Sequence, residues 1–295
     1  MERKEQAASW FREIQLSICE QLEKMDGLAT FEEQQWVREA GGGGHTRILR
    51  SGRVFEKAGV NFSEVYGPLP AFLAKETGLA QGEFYATGTS IVLHPESPLL
   101  PIVHFNTRYF EMSDGKAWYG GGMDLTPIYV NKADTDNFHA GLQRICQRHH
   151  PDFYPLFKSW ADEYFFIPHR SETRGVGGIF FDHIVPDVHY PQETIWGMVK
   201  DLGVSFFDLY ASIAKKYLGE PYTDGQKAFQ YLRRGRYAEF NLLYDRGTKF
   251  GLETGGRTES ILMSLPPMAT WEYQYSPEQG SPEAHTLEAL YYSPG

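Results

Sequence analysis

The sequence predicts an α+β fold, with a large, mainly antiparallel β-sheet sandwiched between helices. Strand-like runs at 83–94, 100–112 and 116–130 follow one another through short connections, which favours antiparallel pairing. Helical patterns come in later blocks instead of alternating with strands. Each strand-like run is rich in Val, Ile, Phe, Tyr or Thr and is bounded by Gly or Pro.

In chain order, a first helix is expected from Ser9 to Met25, with Trp10, Ile14, Ser17, Ile18 and Leu22 at near-helical spacing. The run Gly41-Gly42-Gly43-Gly44-His45 reads as a flexible loop able to close over a ligand, or as an exposed linker. After the three strand-like runs come further ones at 174–185 and 236–246, with helices at 134–149, 152–166, 191–217 and 224–234. No repeat, low-complexity tract or linker divides the chain, so residues 1–295 are expected to form a single domain, with 276–295 a peripheral tail.

Composition narrows the function. A formal charge of −10 argues against nucleic-acid binding and against an anionic membrane surface. An anionic substrate would need locally clustered arginines. Aromatic residues make up 15% of the chain, enough for a sizeable core. Cys19 and Cys146 show no metal or redox spacing, which fits a reducing compartment. The N-terminus is charged and lacks a signal-peptide core. No run reaches the ~18–20 apolar residues of a membrane span. A cytoplasmic protein is expected.

The chemistry-bearing residues concentrate between Gly88 and Met112. Ser90 and His94 lie on one run, and His104, Asn106 and Arg108 on the next. Side chains two apart share a face of a strand. Pairing His94 with His104 would set Ser90 opposite Arg108, with all five on one face. Ile91, Leu93, Val103, Phe105 and Tyr109 would then take the other. An odd slip would split the set.

Beyond this hairpin, His139 sits beside an apolar helical stripe and His169 follows Ile167-Pro168. With His94 and His104 they make four imidazoles that could ligate a divalent metal, although a structural role suits each one singly. Arg174 opens the glycine-rich RGVGGIFFD, whereas Arg233 and Arg234 read as solvated surface residues. Arg257 follows Gly255-Gly256, as part of an anion-gripping nest or of an ordinary turn. Asp124, in WYGGGMDLTP, follows three glycines that leave room for a flat ligand, and it reads as a base or as an Asx-turn residue. Asp182 is a weaker second carboxylate. No dinucleotide fingerprint, P-loop, cysteine cluster set or nucleophile elbow is present, so flavin, NAD and iron–sulfur cofactors are not expected.

The segments GEFYATGTSIVLHPESPLLPIVHFNTRYFE, WYGGGMDLTP, FFIPHRSETRGVGGIFFD and RRGRYAEFNLLYDRGTKFGLETGGRTESILMSLPP closely resemble the oxygen-dependent coproporphyrinogen-III oxidase family. The resemblance covers about residues 9–276. It implies oxidative decarboxylation of two propionates of coproporphyrinogen III to vinyls, giving protoporphyrinogen IX in heme biosynthesis, with dioxygen as co-substrate. It also implies a homodimer whose interface includes Tyr237 to Glu272. By the same resemblance Asp124 faces a pyrrole, Arg174 binds a propionate and His104 donates a proton. Ser90, Asn106, Thr107, Arg108, Gly255, Gly256 and Arg257 match substrate contacts, and His94, His104, His139 and His169 match a proposed metal set. FFDHI departs from the pattern: His183 stands where many members carry a second acid. A tetrapyrrole carrier without turnover and a histidine-metal oxygenase for another carboxylic acid are the rival readings.

Overall fold

The computed structural model describes residues 2–69, 82–253 and 257–292. Seven antiparallel strands form one sheet in the order β1 (Glu32–Val37), β2 (Gly42–Arg50), β3 (Phe55–Pro68), β4 (Glu83–Pro95), β5 (Ile102–Met112), β6 (Ala117–Thr126) and β9 (Gly178–Ile184). A two-stranded ribbon pairs β7 (Phe166–Ile167) with β8 (Glu172–Thr173). Helices cover both faces. On the first, α1 (Arg3–Asp26), α2 (Lys132–His149), α3 (Phe153–Tyr164) and α4 (Gln192–Ala214) bury Phe11, Ile14, Phe138, Phe157 and Phe206 against Ile91, Leu93, Val103, Phe105 and Tyr109. On the second, α5 (Asp224–Leu243) packs Phe229, Leu232 and Tyr237 against Val92 and Ile102. The α+β architecture expected from the sequence is the one observed.

The pairing of β4 with β5 keeps the expected faces but not the expected partners. Ser90 lies opposite Asn106 and Val92 opposite His104. The register is thus two residues away from the His94–His104 pairing, and an even slip leaves every side chain on its face. The even positions of β4 to β6 accordingly form continuous cross-strand rows. One row runs Thr46, Asn61, Ser90, Asn106, Gly122; the next holds Gly59, Val92, His104, Asp124.

Three expectations are corrected. Residues 236–246 are not a strand: α5 runs on to Leu243. The segment contains no β-branched residue, and Phe229, Arg233, Tyr237 and Phe240 recur at helical spacing on the buried side. Gly42, Gly43 and Gly44 are not a free loop but the start of β2. Gly41 and Gly42 take positive φ in the turn, and a Cβ on Gly44 would strike the Trp36 ring. Arg233 and Arg234 are buried, not solvated. Arg233 donates to Glu172 at 2.9 Å, and Arg234 donates to Glu56 at 2.7 Å and to the Pro95 carbonyl at 2.8 Å.

The C-terminal stretch carries a docked helix, α8 (Pro282–Leu290), which buries Ala284, Thr286 and Leu290 and holds Tyr129 through Glu283. The helix α7 (Thr258–Ile261) and the 3₁₀ turn after it form a strap over the second sheet face. Lys57 donates to the Leu265 carbonyl, Asn61 to that of Ser260, and His94 Nε2 to that of Ser264. Gly59 passes beneath Met263, whose sulfur leaves no room for a side chain there. The short helix α6 (Arg246–Glu253) joins α5 to this region.

The end of α1 is fixed to the β2–β3 hairpin by one carboxylate. Asp26 accepts from the backbone N–H groups of Leu28, Ala29, Arg53, Val54 and Phe55 at 2.9–3.2 Å. Burial alone would raise its pKa, but the backbone donors outweigh burial and hold it below the usual carboxylate value. This stabilisation is therefore fully present above the unfolded pKa of about 3.9 and is lost as pH falls through the lower folded value. Asp26→Ala is expected to lose about 2–4 kcal/mol at neutral pH, and the gap to the native chain should narrow as pH falls below about 4. Urea denaturation across pH measures it; a gap that stays constant would show that the carboxylate charge is not responsible.

Candidate functional site

The site grows from the middle of the second sheet face, where β5 and β6 bring His104 directly opposite Asp124. His104 Nδ1 lies 2.8 Å from Asp124 Oδ1, and Asn106 Nδ2 lies 3.0 Å from His104 Nε2. An ionised carboxylate only accepts, so the Nδ1 proton stays with the imidazole and the Nε2 lone pair faces the Asn106 amide.

Asp124 is buried at 2% exposure, and so is Arg174, at 2%. Arg174 Nη2 donates to both Asp124 oxygens at 2.6 Å, while Nη1 donates to Asn241 Oδ1 at 2.9 Å. The rings of Phe165, Phe240 and Tyr237 enclose the guanidinium at 4.3, 4.6 and 4.9 Å. Burial raises the Asp124 pKa, but the Arg174 charge and the His104 and Arg174 hydrogen bonds outweigh it, and the net shift is downward. For Arg174 burial pulls down and the Asp124 charge pulls up, with a net rise. Asp124 is therefore held ionised in a place that would neutralise it alone, and the Arg174 charge, which burial would leave uncompensated, is answered.

A guanidinium so enclosed is not open to a substrate propionate. An accessible arginine on this face is Arg108, whose side chain is 40% exposed and lies 2.7 Å from Asp182. The Asp182 carboxyl lies well below its ordinary pKa: burial opposes ionisation, but His183 and Arg108 outweigh it. The three glycines before Asp124 do not leave an empty floor. A Cβ on Gly120 would meet the Arg108 guanidinium, one on Gly121 the Phe181 ring, and one on Gly122 the Ile179 carbonyl. They make room for these neighbours.

The other expected residues separate. Ser90, Asn106 and Arg108 share the face with His104, and all are partly accessible. Thr107 does not: odd positions of β5 turn to the opposite face, and its side chain is buried at 1% exposure. Arg257 precedes α7 on the strap. Gly255 and Gly256 lie outside the described residues.

The four expected metal-binding histidines do not form one ligand set among the described residues. His94 is buried against the Ser264 carbonyl, and burial holds its pKa well below that of a free imidazole. Both nitrogens of His139 are taken, by Tyr154 and the Val176 carbonyl. His169 sits between Tyr244 and Glu239. These donors do not suit a shared ion, and no step is assigned to a metal.

Sequence reasoning missed Asn241, Phe165 and Phe240, the residues that seal Arg174 into place. For Phe240 and Asn241 the signal lay in the period of α5, which places them with Tyr237 on one buried face, whereas Phe165 follows the end of α3.

The family model described as Coproporphyrinogen III oxidase matches residues 6–293. The chain belongs to the coproporphyrinogen III oxidase family. Among relatives, the rat (Rattus norvegicus) protein named oxygen-dependent coproporphyrinogen-III oxidase, mitochondrial, is 50% identical over 293 residues, covering 94% of this chain and 65% of its own length. A Prochlorococcus marinus protein named oxygen-dependent coproporphyrinogen-III oxidase is 44% identical over 304 residues, covering 95% of this chain and 89% of its own. The chain thus spans a little under two thirds of the rat relative.

Removing the buried cation tests the electrostatic account of this family member. In Arg174→Met, burial is left to act on Asp124 with far less opposition, so its folded pKa rises above the unfolded value. Stability is then retained at low pH and lost as pH climbs through the raised pKa. A loss of about 3–5 kcal/mol relative to the native chain is expected near pH 8, and a clearly smaller loss near pH 5.5. Denaturant titration at both pH values decides; equal losses would overturn the account.

Proposed function

We propose that this chain carries out the oxygen-dependent conversion of coproporphyrinogen III to protoporphyrinogen IX. The observation that carries the reading is the His104–Asp124 pair. It puts an imidazole nitrogen toward a polar, partly accessible sheet face, in a chain of this family. His104 Nε2, once substrate displaces the Asn106 amide from it, takes the pyrrole N–H proton; Asp124 stabilises the imidazolium that forms, and the proton returns to the pyrrole nitrogen as carbon dioxide leaves. Asp124 and Arg174 are positioning residues in this scheme, since both are buried behind His104. Arg108 holds a propionate by exchanging Asp182 for the substrate carboxylate, and Ser90 and Asn106 line the same face.

For each vinyl formed, the propionate loses carbon dioxide, while a proton and two electrons, the equivalent of a hydride, leave the carbon next to the ring. With one proton from solvent these convert dioxygen to hydrogen peroxide. The electron-rich pyrrole supplies the reducing power, so no redox cofactor is needed in the balance. The assembly we propose is a homodimer whose interface includes the 237–272 region. In its favour, Leu242, Leu243, Leu252, Met268 and Trp271 expose apolar surface there. No helix among the described residues is long and apolar enough to cross a membrane. Two free, buried cysteines favour a reducing compartment, for which we propose the cytoplasm.

Incubation with coproporphyrinogen III is expected to give protoporphyrinogen in air and none without oxygen, read as porphyrin fluorescence after oxidation. Binding without aerobic turnover would favour a carrier. Asp124→Asn, which reverses the hydrogen bond that fixes the His104 tautomer, should lower kcat about 10²–10⁴-fold in a folded chain. Arg108→Ala should act mainly on KM, raising it by about 10–100-fold. Near-native constants in either variant would remove that residue from the scheme.

A further inference from the structure

A second cluster of potential ligands lies where α2 meets α3. His150 follows the end of α2, Asp152 precedes α3, and His189 lies in the loop between β9 and α4. One donor atom from each falls within 4.8 Å of the others. His189 Nε2 is 3.3 Å and His150 Nδ1 3.7 Å from the same oxygen, Asp152 Oδ2. Ligands about 2.0–2.1 Å from a tetrahedral ion stand ~3.3 Å apart, so the cluster needs only a small contraction to close on one.

The supporting contacts keep these donors in place. The His150 ring sits between Phe153 at 5.3 Å and Tyr190 at 5.0 Å, the latter edge-on at 88°. Tyr190 also packs on Phe153 at 5.2 Å, which anchors the loop to α3. Asp187 Oδ1 accepts from the backbone N–H groups of His189 and Tyr190 at 2.8 and 2.6 Å, forming the tight turn that presents His189. The Asp152 N–H reaches His150 Nδ1 at a long 3.3 Å, a contact that an ion on Nδ1 would replace.

We propose that His150, Asp152 and His189 form a surface site for a borderline divalent transition ion, of which Zn²⁺ is the type. Two neutral imidazoles and one carboxylate suit that class, whereas Ca²⁺ and Mg²⁺ require oxygen-rich shells. Asp152 and His189 are exposed, so the ion enters from solvent and keeps a water in its fourth position. The ion ties the 185–191 loop to the α2–α3 corner. The site shares no residue with the His104–Asp124 pair or with the four histidines considered above.

Full-length chain stripped by a chelator and titrated with Zn²⁺ near pH 7.5 should take up one equivalent whose affinity falls at least about tenfold in both His189→Ala and Asp152→Asn. His285→Ala, an exposed histidine elsewhere, should leave that uptake unchanged. Co²⁺ should give the intense visible absorption of a four-coordinate site in the native chain and not in His189→Ala. Zn²⁺ should raise the melting temperature of the native chain alone, while metal-free His189→Ala keeps native turnover. No Zn²⁺ uptake, or uptake indifferent to both ligand substitutions, would overturn the site.

Discussion

A buried charge has to be answered by another, and in this chain that requirement is met by Asp124 and Arg174. Isolated in a protein interior, either group would neutralise or force the structure open. Together they join β6 to the turn after β8, and Asn241 extends the connection to α5. Phe165, Tyr237 and Phe240 then shut out water. The orientation of His104 depends on this assembly, because the carboxylate that fixes its tautomer is itself fixed by the guanidinium behind it. Three elements distant in sequence thus converge on one imidazole.

Much of this was legible in the sequence because of the two-residue period of β-strands. Parity alone assigned Ser90, His104, Asn106 and Arg108 to one face, and that assignment survived an error in register because the slip was even. Asp124 was legible as a residue of interest through its glycines, but the reason for those glycines was not. What fills the space is Arg108, Phe181 and the β9 backbone, all remote in sequence. Arg174 was picked out for a propionate, and the anion found on it is Asp124, because a sequence shows that an arginine is present and not which anion reaches it first. Arg233 and Arg234 were misjudged for the same reason: Glu172 and Glu56 lie far away along the chain. Residues 236–246 misled through their aromatics, which suit a strand or a buried helix face equally. Strand β1, EEQQWV, has almost no apolar alternation, and it holds its place through backbone pairing with β2.

Two arginines carry positive charge against the net charge of −10 while paired with carboxylates. Arg108 rests on Asp182, and Arg170 on Glu239, so positive charge is held in compensated pairs. Under the proposed function, an incoming carboxylate meets an exchange of partners at Arg108 and not a bare field. On that proposal the strength of its attachment is a difference between two ion pairs, and recognition is sensitive to small changes in geometry.

The strap over that face is gripped by its main chain: Lys57, Asn61 and His94 each reach a backbone carbonyl at residues 260–265. A carbonyl is the same whatever side chain it belongs to. These anchoring side chains lie on the sheet, and of the strap's own side chains Met263, buried on Gly59, and Ser260, whose hydroxyl meets that of Thr46 at 2.7 Å, add to the hold while others are relieved of it. Sequence drift can consequently rewrite the surface of this wall while its position is inherited unchanged. For protein engineering, that makes the strap a replaceable panel on a fixed frame.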